Sequence, residues 1–315
     1  MKKNPKKIII VNLVLLLLFA IFIETICFLN LPADQKEYLN NLNKAFKQQG
    51  IPITKVTYNP TIEFDLANAR IKMRKPLKGK NPGILFIGCS YTYGTLLKKT
   101  QTLPYKIHKL TGRTVYNRGI EGAGPQVALY DISQDDFKTQ VPNAKYIIYT
   151  FIWDHMLRLY AYTLSPFPNS NGNIEANVRY EIKNGELKLI TPKLLPLYSL
   201  FSVKRAQLLI ENKNTEKLGN NYNLLIAVLK EIKKKTDEYY PNSKFIVLLY
   251  KDSGHSTMAD DQRELLADNG FVVIDAEELV GHELESAQYR AEDKEHPSEK
   301  AWNEVAPKLA KYLKF

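Results

Sequence analysis

A serine, an aspartate and a histidine in this chain have the types and order needed for a nucleophilic triad. Ser90 lies in GCSYTYG, residues 88–94, directly after the apolar run ILFIG. Asp293 and His296 lie three positions apart in DKEHPSEKAW, residues 293–302. A histidine can act as general base on a serine hydroxyl, and an aspartate can fix its tautomer and stabilise the imidazolium. These residues therefore predict acyl transfer through Ser90.

Each segment alone also has an ordinary structural interpretation. Ser90 can be a helix-capping serine in a strand-to-helix loop. Asp293 can be a turn residue and His296 an exposed polar residue, followed by Pro297 at the first position of a helix. The two segments together favour the catalytic interpretation.

The elements that must position these residues alternate along the chain. Strand-like segments occur at residues 84–88, 114–117, 146–152, 244–250 and 271–275, and helical segments at 103–112, from Pro125, at 262–270 and at 297–313. Strands alternating with helices predict an α/β domain whose parallel sheet is covered on both faces. Catalytic groups of such sheets gather at the carboxyl ends of the strands, where Ser90 is expected.

This order of segments resembles the SGNH/GDSL hydrolases over roughly residues 83–313. In that family a serine follows the first strand, and an aspartate and a histidine share the last motif, written D-x-x-H-P in many members. GCSYTYG resembles the first motif, with Cys89 where the family often has aspartate, and DKEHP resembles the last. The resemblance implies a three-layer, flavodoxin-like α/β fold and a triad of Ser90, His296 and Asp293, without cofactor or metal.

The segment YNRGIEGAG, residues 116–124, resembles the second motif of the family. Asn117 and Gly122 have its spacing, so the resemblance gives Asn117 a supporting role and places the backbone N–H of Gly122 in the oxyanion hole. The N–H of Ser90 is the expected second donor. Such rigidly held donors stabilise charge as it develops on the substrate oxygen.

The third motif departs from the family. Its members typically have G-x-N-D after the third strand, with the asparagine as an oxyanion donor, whereas this chain reads YIIYTFIWDH. The asparagine position falls on Trp153 or Asp154, yet a carboxylate repels an oxyanion and an indole donates only if it swings inward. Asp154 and His155 are the two candidates considered for the oxyanion hole, and a purely structural strand end is the alternative. Losing one such donor typically costs about 100- to 1000-fold in rate.

The N-terminal region predicts a membrane anchor. Four lysines among residues 1–7 precede an apolar run at 8–29, and about 20 apolar residues suffice to cross a bilayer. The preceding lysines keep the N-terminus cytoplasmic. The sequence thus predicts a single-pass protein of the inner or plasma membrane with residues 30–315 outside the cytoplasm. A cleaved signal peptide is the alternative.

The predicted organisation has three parts. They are a tail and anchor at 1–29, a stalk or packing segment at 30–82 with a small hairpin at 53–75, and the hydrolase-like domain at 83–315, which contains an insertion at 156–242. The insertion should hold a hairpin that turns at Asn184 and Gly185 and a helix at about 219–239. We expect it to shape the mouth of the site.

Composition and motif spacing exclude several other functions. The 315 residues are 44% hydrophobic, enough to bury a sizeable core. The net charge of +11 is spread over many lysines without a nucleic-acid-binding motif, so a solvated surface is the better interpretation. The glycine spacing does not fit a dinucleotide site. Two distant cysteines, Cys27 and Cys89, imply no disulfide framework.

Three kinds of function remain open. The first is an extracytoplasmic serine hydrolase acting on acyl esters, foremost acetyl esters, of an envelope or exported glycan. The same triad serves an O-acetyltransferase, in which a sugar hydroxyl replaces water. The second is a non-catalytic glycan-binding or assembly module, which the altered third motif favours and the complete triad disfavours. The third is a metal enzyme using Asp154, His155, Asp293 and His296, which lack a known ligand spacing and would leave Ser90 unexplained.

Overall fold

The structure is a computed structural model, and it describes residues 73–160, 164–168, 174–176, 178–190, 222–251 and 256–314. The predicted anchor at 8–29, most of the stalk segment and all but the last three residues of the hairpin expected at 53–75 lie outside these residues. No helix within the described ranges is long and apolar enough to span a bilayer. The chain forms two compact units, and the larger one comprises Asp65–Ala161, Val178–Ile190 and Leu218–Phe315.

Nine strands and nine α-helices are found in the described ranges. The strands are β1 (Lys80–Gly88), β2 (Arg113–Gly119), β3 (Ala144–Phe151), β4 (Leu164–Pro168), β5 (Ile174–Ala176), β6 (Arg179–Lys183), β7 (Glu186–Ile190), β8 (Lys244–Leu249) and β9 (Val272–Asp275). The helices are α1 (Ser90–Tyr93), α2 (Leu103–Thr111), α3 (Pro125–Ile132), α4 (Phe137–Gln140), α5 (Asp154–Tyr160), α6 (Tyr222–Tyr239), α7 (Ser256–Asp268), α8 (Ala276–Val280) and α9 (Glu299–Tyr312).

The central sheet has the strand order β2-β1-β3-β8-β9, and all neighbouring strands are parallel. This is the flavodoxin-like order, which confirms the predicted α/β class with a central parallel sheet. The chain leaves β1 toward β2 on one side and reaches β3 on the other. The point between β1 and β3 is therefore the topological switch point, where ligands bind in sheets of this kind.

Both faces of the sheet are covered. Ile84 and Phe86 of β1 are fully buried in one cluster with side chains of α2 and α9. Leu85 and Ile87 point to the opposite face because side chains alternate along a strand, and they are equally buried. Helices α3 and α6 pack against each other, and their buried side chains lie outside the first cluster. Burial on both faces explains why β1 reads as an uninterrupted apolar run.

The hairpin expected in the 156–242 segment is present as the antiparallel pair β6–β7. Asn184 and Gly185 have φ values of 55° and 80°, as a two-residue turn of this kind requires. The expected long helix is α6, which packs on α3 and precedes β8. Helix α6 thus belongs to the helical layer that covers the sheet. Strands β4 and β5 form a separate antiparallel pair, which belongs to the smaller unit.

Candidate active site

Ser90 is presented by a tight strand-turn-helix connection at the end of β1. Gly88 has φ 145°, and a Cβ there would lie 2.5 Å from Thr92 Oγ1 and 2.9 Å from the carbonyl oxygen of Thr150. Only glycine fits this turn without displacement. Cys89 is extended and Ser90 is the first residue of α1, with 6% of its surface exposed. The turn therefore holds the Ser90 hydroxyl at the carboxyl end of β1, beside the switch point.

The structure brings Ser90, His296 and Asp293 together. His296 Nε2 lies 2.8 Å from Ser90 Oγ, and His296 Nδ1 lies 2.5 Å from Asp293 Oδ2. Because a carboxylate only accepts hydrogen bonds, Nδ1 carries the ring proton and Nε2 is left to accept the Ser90 hydroxyl proton. This is the nucleophile, base and orienting-group arrangement of a serine triad.

The Asp293 carboxylate is fixed by its own loop. Its Oδ1 accepts hydrogen bonds from the backbone N–H groups of Glu295 and His296, each at 3.0 Å. Partial burial acts to raise the pKa of Asp293, but the hydrogen bonds from the His296 ring and from these two N–H groups outweigh it and lower the pKa. Asp293 is therefore ionised and oriented toward the histidine.

A second set of contacts holds the loop that carries His296. The carbonyl oxygen of Glu295 accepts from the Tyr91 hydroxyl at 2.9 Å and from Arg290 Nη1 at 2.8 Å. Arg290 Nη2 also donates to the carbonyl of Lys251 at 3.1 Å. Both Tyr91 and Arg290 are buried. The sequence prediction missed these two residues, and their only available signal was proximity to the first and last motifs.

The second motif supports the nucleophile turn. The Asn117 side-chain nitrogen donates to the carbonyl of Thr92 at 3.0 Å, and its oxygen accepts from the N–H of Gly119 at 3.0 Å. Asn117 thus bridges the end of β2 and the nucleophile turn, and its supporting role in catalysis stays a prediction. Gly122 has φ 71° in an exposed loop, and within the described part of the chain its N–H has no hydrogen-bond partner. Its place in the oxyanion hole stays a prediction.

The candidates from the third motif take different environments. Asp154 begins α5 and pairs with Arg158 through Oδ2 and Nη2 at 3.1 Å. His155 is fully buried, with Nδ1 2.9 Å from the Tyr149 hydroxyl. Burial and then the charge of Arg158 hold the pKa of His155 well below its usual value. The ring is therefore neutral and enclosed, and no contact of Asp154 or His155 with Ser90 is present among the described hydrogen bonds.

Arg158 is a further charged residue beside the nucleophile turn. Its Nη1 donates to the carbonyl of Ala123 at 3.1 Å. The Cys89 thiol in this turn is fully buried and free. Burial raises the pKa of Cys89 and outweighs the opposing effect of Arg158, so the thiol is neutral. The sequence signal for Arg158 was its position four residues after Asp154 on a helix.

Metal-ligating side chains were also considered at this site. Within the described ranges, Asp293, Glu295 and His296 have ligand atoms within 4.8 Å of one another. Asp154 and His155 do not join this group. All three residues lie in the loop that carries Asp293 and His296. In this loop the Asp293 carboxylate already accepts hydrogen bonds from Glu295 and His296.

No protein family and no curated protein matches this sequence. Among solved structures, the chain is similar to a lipolytic protein of the G-D-S-L family from Veillonella parvula, with a TM-score of 0.42, 12% identity and coverage of 74% of this chain and 99% of that one. A lipase from a goat rumen metagenome has a TM-score of 0.43 and 14% identity, with coverage of 73% and 96%. An acetyl xylan esterase from the rumen bacterium Butyrivibrio proteoclasticus has a TM-score of 0.39 and 11% identity, with coverage of 75% and 64%. Likeness of this degree assigns no chemistry, so function is inferred from the site itself.

Proposed function

We propose that the chain is a serine hydrolase of carboxylic esters. The observation that supports this most directly is the hydrogen-bonded series from Ser90 Oγ through the His296 ring to Asp293 Oδ2, with distances of 2.8 and 2.5 Å. Ser90 and His296 are 206 positions apart in the chain. A helix-capping serine and an exposed turn histidine have no reason to meet in this way.

The proposed reaction proceeds through an acyl-enzyme. Ser90 Oγ attacks the ester carbonyl carbon while its proton passes to His296 Nε2, and the carbonyl oxygen becomes an oxyanion. When the tetrahedral intermediate collapses, the bond to the alcohol oxygen breaks and His296 returns the proton to it. Water then attacks the acyl group in the same manner, releasing the acid and restoring Ser90. Asp293 stays ionised and stabilises the imidazolium in both halves.

The backbone N–H groups of Ser90 and Gly122 are the proposed oxyanion donors. The N–H of a first helical residue has no partner inside the helix, which leaves that of Ser90 available at the start of α1. Asp154 is engaged with Arg158, and His155 is enclosed and neutral. We therefore assign neither of them as an oxyanion donor.

We further propose an extracytoplasmic address and an acetylated glycan as substrate. The support is the lysine-flanked apolar run at residues 8–29. Such a run typically leaves the domain that follows it outside the cytoplasm, where envelope and exported glycans are modified. If a sugar hydroxyl replaces water as acceptor, the same site performs O-acetyl transfer. Acetate release measured with and without an added acceptor sugar distinguishes hydrolysis from transfer.

Active-site labelling tests the enzymatic proposal. The full-length chain, purified in mild detergent, is expected to react with a fluorophosphonate probe at Ser90 and to hydrolyse p-nitrophenyl acetate. Ser90→Ala and His296→Ala should lose both properties. Ser133→Ala is the matched control, because that hydroxyl is engaged with the carbonyl of Leu129 at 2.7 Å. A folded wild-type chain that neither labels nor hydrolyses the ester would instead favour the non-catalytic module.

A further inference from the structure

Arg158 joins the Gly122 loop to the start of α5, next to the nucleophile turn. Its Nη1 donates to Ala123 in the loop that contains Gly122, and its Nη2 pairs with Asp154 at the start of α5. That loop begins at Ile120, whose N–H donates at 3.0 Å to the carbonyl of Gly88, two residues before Ser90. A permanent positive charge therefore lies where the nucleophile turn, the Gly122 loop and the altered third motif meet.

The position of this arginine is closely defined. A Cβ on Gly124 would lie 2.9 Å from Arg158 Cβ, so the absence of a side chain there permits the approach. Gln126, which is buried, donates from Nε2 to the carbonyl of Arg158 at 2.8 Å. Charges that are held in place in advance stabilise a transition state without reorganisation.

Arg158 is the better shielded member of its ion pair with Asp154. The Asp154 side chain is 42% exposed and that of Arg158 is 23% exposed, so water screens the carboxylate more than the guanidinium. His155 is neutral and adds no charge. The guanidinium has five N–H donors, more than its contacts with Ala123 and Asp154 occupy.

We propose that Arg158 stabilises the oxyanion formed on attack by Ser90, where the third motif lacks an amide donor. This inference rests on the proposed esterase function. It accounts for the presence of Trp153-Asp154-His155 at the expected asparagine position: Asp154 orients the arginine, and the arginine supplies the charge.

The test compares Arg158→Gln and Arg158→Lys in the full-length chain. For p-nitrophenyl acetate, Arg158→Gln is expected to lower kcat by about 100-fold or more, the scale for loss of one oxyanion donor, with KM nearly unchanged. The affinity for a trifluoromethyl ketone, whose adduct on serine carries the oxyanion, should fall in parallel with kcat. Arg158→Lys keeps the charge and should lose less of both. Arg263→Gln removes an arginine paired with Glu278 on the surface and should change neither.

Three results would overturn this assignment. One is an unchanged kcat in Arg158→Gln, and another is an equal loss in the Lys and Gln variants, since the arginine would then act by shape alone. If Arg158→Gln does not fold, Arg158→Lys is measured instead, and a raised KM with an unchanged kcat in that variant would also overturn the assignment. In each of these cases Ser90-dependent activity of the wild type persists, and the esterase proposal stands. Absence of that activity in folded wild type overturns both proposals.

Discussion

Asp293 performs two tasks with its two carboxylate oxygens. Oδ1 accepts from two backbone N–H groups of its own loop, and Oδ2 faces the Nδ1–H of His296. The first task shapes the loop, and the second selects the histidine tautomer that can take a proton from Ser90. The division suggests a substitution that removes one task and keeps the other.

Asp293→Asn should abolish most activity while leaving the fold intact. The amide oxygen can still accept from the N–H groups of Glu295 and His296, which turns the amide nitrogen toward His296 Nδ1. Nδ1 must then accept, so the ring proton moves to Nε2 and the base is blocked. We expect kcat to fall by about 10,000-fold, as for loss of the orienting aspartate in serine triads. Esterase kinetics and thermal unfolding check this, with Glu295→Gln as the control that keeps the backbone donors.

The element that presents His296 is a loop tied to α1. Tyr91, which follows Ser90 directly, donates to the carbonyl that precedes His296, and its ring centroid lies 5.2 Å from the imidazole centroid. One residue of the nucleophile helix thus positions the base. Tyr91 and Arg290 act on the same carbonyl, so either alone retains part of the restraint.

Tyr91→Phe should lower kcat and leave KM unchanged. The ring keeps its packing while one hydrogen bond of about 1 kcal/mol is lost, so we expect roughly a fivefold decrease in kcat. The slope of unfolding with denaturant should be unaffected. Tyr312→Phe, on the exposed end of α9, is the matched control. An increase in KM of the same size as the decrease in kcat would contradict a positioning role.

The junction of β3 and α5 contains a buried neutral histidine, and this makes stability depend on pH. The folded-state pKa of His155 is well below 6.5, first because of burial and then because of the Arg158 charge. Below pH 6.5 the unfolded chain binds a proton at this residue and the folded chain does not. The free energy of unfolding should therefore decrease as pH falls from 6.5 toward the folded pKa, by at most about 1.4 kcal/mol per pH unit for one proton.

His155→Gln should flatten this decrease between pH 7 and pH 5, as measured by urea unfolding. His282 provides the control because the Glu283 carbonyl and the Glu304 carboxylate raise its pKa. A group whose pKa is raised in the folded state stabilises the protein at low pH and loses this effect as pH rises. His282→Gln should therefore not flatten the decrease in the free energy of unfolding as pH falls. Equal slopes in wild type and His155→Gln would show that His155 is not the titrating group.

At the scale of the whole molecule, the strands of the sheet could be predicted from the sequence. The side-chain contacts between distant segments and the packing of the helices could not. Strands such as β1 are apolar on both faces, so their positions follow from uninterrupted runs in the sequence. The approach of Ser90 to the Asp293–His296 pair could be expected because each of these segments stands beside an element boundary, and the catalytic roles of the three residues stay a prediction. Arg158 and Arg290 act through backbone carbonyls of distant segments, and no local spacing reports such contacts. The role of α6 as a layer helix also depends on packing with α3.

The full-length chain is expected to be an integral membrane protein with its catalytic domain outside the cytoplasm. The apolar run at 8–29 has about the length needed to cross a bilayer, and the lysines before it favour a cytoplasmic N-terminus. The intact chain should therefore resist carbonate extraction, and protease added to spheroplasts should degrade the domain. A doubly substituted chain, Leu15→Arg with Leu17→Arg, should lose the anchor, because each arginine near the centre of a spanning helix costs about 2.5–3.5 kcal/mol. Leu15→Ala with Leu17→Ala controls for side-chain loss. A shorter product released in soluble form would show cleavage of the segment, and a domain that stays protected in spheroplasts would contradict the orientation.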